Sequence, residues 1–404
     1  MYNKIVEAQT RIQAVAHKTP LVYSNIFSEI SGCNVFLKYE HLQKTGSFKI
    51  RGSYNKISAL SDEERKHGVI ASSAGNHAQG VALAATKSGI PSTIVMPEGA
   101  PLAKIAATKG YGAEIVLHGQ AFDDAYQKAR ELQQQTGATF IHAFDDEEII
   151  AGQGTIALEL LEDLQDIEAI LVPIGGGGLI AGIGAAIKET HPDIQVIGVE
   201  AAGAASMYAS IHDKERRALQ AVNTIADGIA VKEPGEKTYQ MVREYVDELV
   251  TVSDEDIART MLILLERAKQ MVEASGAAAL AALVSTPNEQ FRNEMKGKNV
   301  IAILSGGNVD VNLISRIIQQ GLMEAGRYFR FLTSVPDRPG NLQKVIAILA
   351  TLKANIISVE HFRVGTRVSL GRTEIEFVVE TTNQQHIEEL INSLEKEGYP
   401  LIKV

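Results

Sequence analysis

The sequence has one cysteine, Cys33, and no tryptophan. A single thiol excludes an intrachain disulfide and any cysteine-built metal cluster, and it suits a reducing compartment. Uninterrupted apolar stretches long enough to span a bilayer are also missing. Residues Met1 to His17 break their apolar positions with Lys4, Glu7 and Arg11, unlike a secretory signal peptide. There is no surplus of basic residues either. A formal net charge of -10 carries none of the electrostatic footprint of a nucleic-acid binder. No low-complexity tract and no repeat of solenoid period is present. These absences leave a cytoplasmic globular protein as the expectation. With 404 residues, 45% of them hydrophobic and 22% charged, the chain has room for about two to three domains.

What is there is a long alternation. Strand patterns at Gly68 to Ser72, Ser92 to Met96, Glu114 to Leu117 and Thr139 to Ala143 are separated by helical patterns at Ala78 to Ser88, Lys104 to Lys109 and Phe122 to Thr136. The rhythm resumes with a strand at Ala169 to Pro173, a helix at Leu179 to Glu189 and a strand at Gln195 to Glu200. A helix is expected over Ile257 to Glu273, capped by Ser253, and a buried strand over Asn299 to Leu304. Strands joined by helices imply right-handed crossovers and a mostly parallel sheet. After Gly321 the character changes. Strands at Tyr328 to Val335, Asn355 to Val364, Arg372 to Glu380 and Pro400 to Lys403, with helices at Leu342 to Leu352 and Gln385 to Lys396, spell the ferredoxin-like split βαβ order. The expected division is a catalytic domain over 1–320, with a smaller lobe over about 52–148, and a second domain over 327–404.

Four segments carry candidate chemistry. Lys49 lies between Phe48 and Ile50, just after Gly46-Ser47 and ahead of a helix. Apolar neighbours disfavour the charged amine, which makes a nucleophile able to form Schiff bases with carbonyl compounds. The plain alternative is a solvated lysine at a helix start. Gly175, Gly176, Gly177 and Gly178 follow an apolar strand and open a helix, a phosphate cradle of backbone amides. The dinucleotide pattern G-x-G-x-x-G cannot be laid on them, and no Lys-Ser/Thr follows for a triphosphate loop. Ser72-Ser73-Ala74-Gly75-Asn76-His77 ends a strand and starts a helix, which suits a carboxylate or, equally, simple N-capping. For His77 a satisfied buried histidine is the plainer reading. Ser305, in Ser305-Gly306-Gly307-Asn308, offers a hydroxyl that can bond a pyridine nitrogen without protonating it.

Together with Ala226-Asp227-Gly228, these segments resemble the fold-type II pyridoxal-phosphate enzymes, and within them the threonine dehydratases (threonine ammonia-lyases). The likeness runs from about Thr19 to Asn312, and the tail, with Val335-Pro336-Asp337-Arg338-Pro339-Gly340-Asn341-Leu342, looks like an ACT domain. The resemblance implies an α/β fold of two parallel-sheet lobes, similar to tryptophan synthase β, plus a ferredoxin-like regulatory domain. It implies pyridoxal 5'-phosphate held by Lys49, Phe48 flanking the ring, Asn76 at the ring's 3-oxygen, Gly175 to Gly178 at the phosphate and Ser305 at the ring nitrogen. Ser73, Gly75, His77 and Gly228 would meet the substrate, with Lys49 and Ser73 as the catalytic residues.

The implied activity is conversion of L-threonine to 2-oxobutanoate and ammonia, regulated by an amino acid at the tail. L-serine dehydration or racemisation shares every one of these motifs, and a binding regulator that has lost catalysis is a reading from another class. Relatives such as serine racemase use a second carboxylate beside the counterpart of Glu200. Ala201-Ala202-Gly203-Ala204-Ala205-Ser206 supplies none, so no divalent metal is expected, while a monovalent cation on backbone carbonyls stays open. A homodimer or homotetramer follows from the same likeness, with neither nucleic acid nor membrane as a partner.

Overall fold

The computed structural model describes residues 1–285, 288–363 and 369–403. The chain divides into two compact units, Met1–Asp310 and Val311–Val404.

The first unit holds ten strands among the described residues: β1 (Leu21–Tyr23), β2 (Asn34–Lys38), β3 (Val69–Ser72), β4 (Ser92–Met96), β5 (Glu114–Leu117), β6 (Thr139–Phe140), β7 (Ala169–Pro173), β8 (Gln195–Ala201), β9 (Glu248–Val252) and β10 (Asn299–Ile303). They form two sheets, one of six strands in the order β1-β2-β10-β7-β8-β9 and one of four in the order β5-β4-β3-β6. All pairings are parallel except β1 with β2. In parallel sheets the loops at the carboxyl ends of the strands gather on one edge, and that is where ligands bind. β3 leads into Ser73, β7 into Gly175 and β10 into Ser305, so three of the sequence motifs fall on such edges.

The helix Glu147–Asp163 ties the lobes together and is buried from Ile149 to Leu160. Gly52 and Gly152 let the helix Lys49–Ser58 cross it at backbone contact, since a Cβ on Gly152 would lie 2.6 Å from the Gly52 Cα. Behind this crossing is a charged cluster with almost no solvent. Arg51 donates to Glu40 at 2.7 and 2.9 Å and to Glu159 at 2.6 and 3.0 Å. Lys38 reaches the same Glu159 at 2.6 Å and the Thr19 carbonyl at 2.7 Å. Burial alone would push the Glu40 carboxyl up, but Arg51 and the Thr19 hydroxyl bring it below the usual carboxylate range.

Expectation and structure part company after Ser253. The helix begins at Asp254 but ends at Ile263, passes through a wide turn at Leu264–Ala268, and leaves at Lys269 with φ 59°. Glu273 is therefore outside the helix, its amide bonded to the Gly306 carbonyl at 3.0 Å. A new helix, Ala274–Val284, starts right after it.

The second unit begins with the helix Val311–Glu324. Its strands β11 (Tyr328–Pro336), β12 (Asn355–Phe362), β13 (Arg372–Glu380) and β14 (Leu401–Lys403) form an antiparallel sheet in the order β12-β13-β11-β14. This is the split βαβ arrangement. The expected end of its second strand, Val364, lies outside the described residues. Alternation in β11 and β13 sends Phe331, Ile375, Phe377 and Val379 inward against Val345, Leu349, Leu390 and Leu394 of the two helices. No helix among the described residues is long and apolar enough to cross a membrane.

Arg51 supplies a direct test of the buried cluster. Removing one partner of a buried ion pair leaves the other charge without compensation and costs about 3–5 kcal/mol. Arg51→Ala should lower the urea-derived unfolding free energy by about that much, far beyond the effect of the exposed Lys66→Ala, whose partner Glu63 is equally solvated.

Candidate active site

The segment carrying Lys49 is fixed before its helix begins. Thr45 and Gly46 both take left-handed backbone, φ 65° and 70°, which turns the chain so that Ser47 forms an antiparallel bridge with Gly306. The Phe48 amide donates to the Ser305 carbonyl at 3.1 Å, and the Gly307 amide to the Gly46 carbonyl at 2.8 Å. Asn308 adds its side-chain amide to the Thr45 carbonyl at 2.6 Å and to Asn76 Oδ1 at 2.8 Å. Three motifs, the last more than two hundred residues beyond the first two, are thereby one hydrogen-bonded assembly.

Lys49 Nζ donates to the Ala143 carbonyl at 3.0 Å and lies 5.1 Å from the centre of the Phe48 ring. Burial pushes the amine down to about 8, and the negative charge of Glu273 opposes that shift. His77 is buried, with Nε2 on the Ile141 carbonyl at 2.9 Å. Its burial, and next the positive Lys49, pushes it down to about 3, so the imidazole is neutral. Ser73 Oγ accepts the Gly75 amide at 3.2 Å, shaping the turn ahead of the helix Asn76–Lys87.

Glu273 is the functional candidate that the sequence reading did not reach. Its Oε1 accepts from Asn76 Nδ2 at 2.6 Å, so in this structure both ends of the Asn76 amide have protein partners. Burial pushes Glu273 up to about 7, Asp227 adds to that, and Asn76, Lys104 and Lys49 oppose it. The pattern Val272-Glu273-Ala274-Ser275-Gly276, an acid among small and apolar residues, was the available sign of a buried carboxylate. Gly228 stands beside it: a Cβ there would meet Ser275 Oγ at 2.8 Å and Glu273 Oε1 at 3.8 Å. Lys104, from the helix Leu102–Gly110 of the smaller lobe, bridges to Asp227.

The glycine loop is walled closely. Gly177 has φ 91°, a conformation that side chains resist, and a Cβ on Gly176 would lie 2.3 Å from the Phe144 ring. Thr238 Oγ1 holds the Gly176 carbonyl at 2.6 Å. The first intrahelical donor is Ala181, to the Gly177 carbonyl, so the amides of Gly178, Leu179 and Ile180 are free for an anion at the positive end of the helix dipole. Among the described residues the Ser305 hydroxyl has only a long contact, 3.5 Å to the Ser275 carbonyl, and the buried hydroxyls of Ser47, Ser72 and Ser275 have no hydrogen-bond partner. A low-pKa amine, a helix start with free amides and an underused hydroxyl fit pyridoxal phosphate. Glu200 is separate: its oxygens accept the Met207 and Tyr208 amides at 2.9 and 2.6 Å, and burial pushes it up to about 8.

Residues 12–306 match the model of the pyridoxal-phosphate dependent enzyme family, and residues 329–398 match that of the ACT domain. The chain belongs to the pyridoxal-phosphate dependent enzymes and carries an ACT domain. It is 50% identical over 395 residues to an L-threonine ammonia-lyase of Thermotoga maritima, covering 98% of this chain and 97% of that one. Among solved structures it is similar to the processed form of threonine deaminase isoform 2 from Solanum lycopersicum, with 39% identity and a TM-score of 0.74 over 79% of this chain and 94% of that one. Maize serine racemase is similar at 38% identity and a TM-score of 0.75, over 80% and 98%.

The lowered amine predicts a measurable titration. As pH rises through about 8, Lys49 loses its charge while ordinary lysines, near 10.5, keep theirs. In cofactor-free protein, trace acetylation of Lys49 followed by peptide mass spectrometry should reach half its maximal rate near that pH. A midpoint in the ordinary lysine range would contradict the buried, low-pKa amine.

Proposed function

We propose that this chain is an L-threonine ammonia-lyase, releasing 2-oxobutanoate and ammonia. The observation that carries the reading is Lys49: an amine pushed down to about 8, bonded to Ala143 and flanked by Phe48, opposite the strand end that bears Ser305. Its full-length likeness to a lyase of that name supports the substrate.

Each residue then has a task. Lys49 would hold the cofactor, and its amine is the base for the Cα proton of the substrate. Bound pyridoxal phosphate supplies the electron sink for the electrons left at Cα. The amides that begin the helix Gly178–Thr190, with Gly175 to Gly177, would hold the phosphate. Ser305 would offer a hydroxyl to the ring nitrogen, a partner that leaves that nitrogen unprotonated and so favours loss of the β-hydroxyl of the substrate. Ser73 and Gly75, at the start of the helix Asn76–Lys87, receive the substrate carboxylate with His77 behind them. Gly228 closes the opposite wall, where a larger residue would strike Ser275.

The second unit is read as the amino-acid sensor, and its open edge strands β12 and β14 leave room for a second copy, in keeping with a homodimer or homotetramer. A cytoplasmic location suits the single buried, unpaired Cys33. L-serine dehydration or racemisation is the second reading, favoured by the likeness to maize serine racemase.

Two experiments test this. Purified protein should release 2-oxoacid faster from L-threonine than from L-serine, and Lys49→Ala should abolish both the release and the visible cofactor band; dominant serine turnover or D-serine formation would move the assignment to the second reading. For regulation, activity is measured with each proteinogenic amino acid added, in the full chain and in a chain ending at Leu322. An effector response present only in the full chain is expected. Identical behaviour of the two would remove the sensor from the second unit.

A further inference from the structure

The loop from His142 to Asp145 touches both halves of the site. Its Ala143 carbonyl receives the Lys49 amine, and Phe144 packs on Gly176 and Gly178. Its Asp145 carboxylate accepts three amides, from Glu236 at 3.1 Å, Lys237 at 2.9 Å and Thr238 at 3.1 Å, capping the helix Glu236–Tyr245 from outside. Thr238 in turn holds the Gly176 carbonyl. Within the loop one atom takes two amides: His142 Nδ1 accepts the Phe144 amide at 3.3 Å and the Asp145 amide at 2.8 Å. The ring is wedged edge-on against Phe144 and tilted against Phe140.

We infer that His142 is a positioning residue for the cofactor, its unprotonated Nδ1 fixing the loop that sets the Lys49 amine and the glycine loop in one register. An imidazole nitrogen that accepts two amide protons carries none of its own, so only the form protonated at Nε2 does this. Protonating Nδ1 turns both contacts into opposed donors, and the Phe144 and Asp145 amides lose their acceptor together. The groups facing the ring are Asp145, Asp146, Lys49, Arg130 and the neutral His77. Burial, aided by Lys49 and Arg130, keeps His142 below its ordinary value against the pull of Asp145 and Asp146. The neutral form therefore prevails at neutral pH, and the positioning is lost as pH falls below the histidine range.

The inference rests on the assignment of Lys49 and Gly175 to Gly178 to the cofactor, and the test keeps the two apart. The readout is the dissociation constant of pyridoxal 5'-phosphate, titrated into cofactor-free protein. His142→Phe keeps the ring and removes the acceptor, and should weaken binding about tenfold. His142→Asn places an oxygen near Nδ1 and should bind within about twofold of the parent. Affinity of the parent chain should also fall as pH drops below the ordinary histidine value of about 6.5, and that fall should be absent in His142→Asn. Glu273 titrates in both proteins and so cancels from the comparison. Equal weakening in the two variants means a packing role, and an acid fall retained in His142→Asn removes the proton from the argument; either overturns the inference. If His142→Phe does not fold, the pH comparison decides alone. Failure of the underlying assignment looks different, because Lys49→Ala would then retain the cofactor band whatever His142 does.

Discussion

A guanidinium sealed from water constrains the rest of this enzyme. Arg51 stands two residues beyond Lys49, with 1% of its surface exposed, and every route to a stable charge there runs through Glu40 and Glu159. Glu40 follows β2 and Glu159 lies in the helix Glu147–Asp163, so satisfying one side chain fixes the larger lobe, the bridging helix and the first turn of the helix that begins at Lys49. Such a cluster contributes little net stability compared with an apolar substitute, but it tolerates few geometries. Its effect is to make the direction of the Lys49 side chain a property of the fold.

The chemistry of the site depends on that fixity. Lys49 is held where burial outweighs the attraction of Glu273, and Glu273 is itself pushed up to about 7 by burial. Each group moderates the other's charge without closing into a strong pair. A fully ionised Glu273 beside a fully ionised lysine would give a stable ion pair and a poor base. The hydrogen bond from Asn76 to Glu273 and the bridge from Lys104 to Asp227 keep the acid in its intermediate state.

Much of this was legible in the chain. Motifs at Ser73, Gly175 and Ser305 stand at strand ends and Lys49 at a helix start, and period-two and period-3.6 patterns located most strands and helices to within a residue or two. The split βαβ order of the tail was readable from alternation alone, because β11 and β13 each bury one face. Other features had no local signal. The helix Glu147–Asp163 is buried around nearly its whole girth, so its apolar residues show no stripe. β1 is three residues long and owes its form to pairing with β2. Glu273 was read into a helix because nothing nearby announces the left-handed turn at Lys269. The hydrogen bonds that join Asn308 to Thr45 and Asn76 cross hundreds of residues, and no spacing rule reaches so far.

The smaller lobe is an insertion, leaving the six-stranded sheet after β2 and returning before β7. The polypeptide crosses between the lobes once at Ser47 to Lys49 and once at His142 to Glu147, and the Lys49 amine is bonded to the second crossing through Ala143. Two crossings define an axle. Any rigid rotation of the insertion must turn about the line through them, and points on an axle are displaced least. The Lys49 amine therefore stays nearly stationary, while β5, at the far edge of the four-stranded sheet from β6, would sweep a longer arc. A rotation of that kind would leave the hydrogen bond between the Lys49 amine and Ala143 in place.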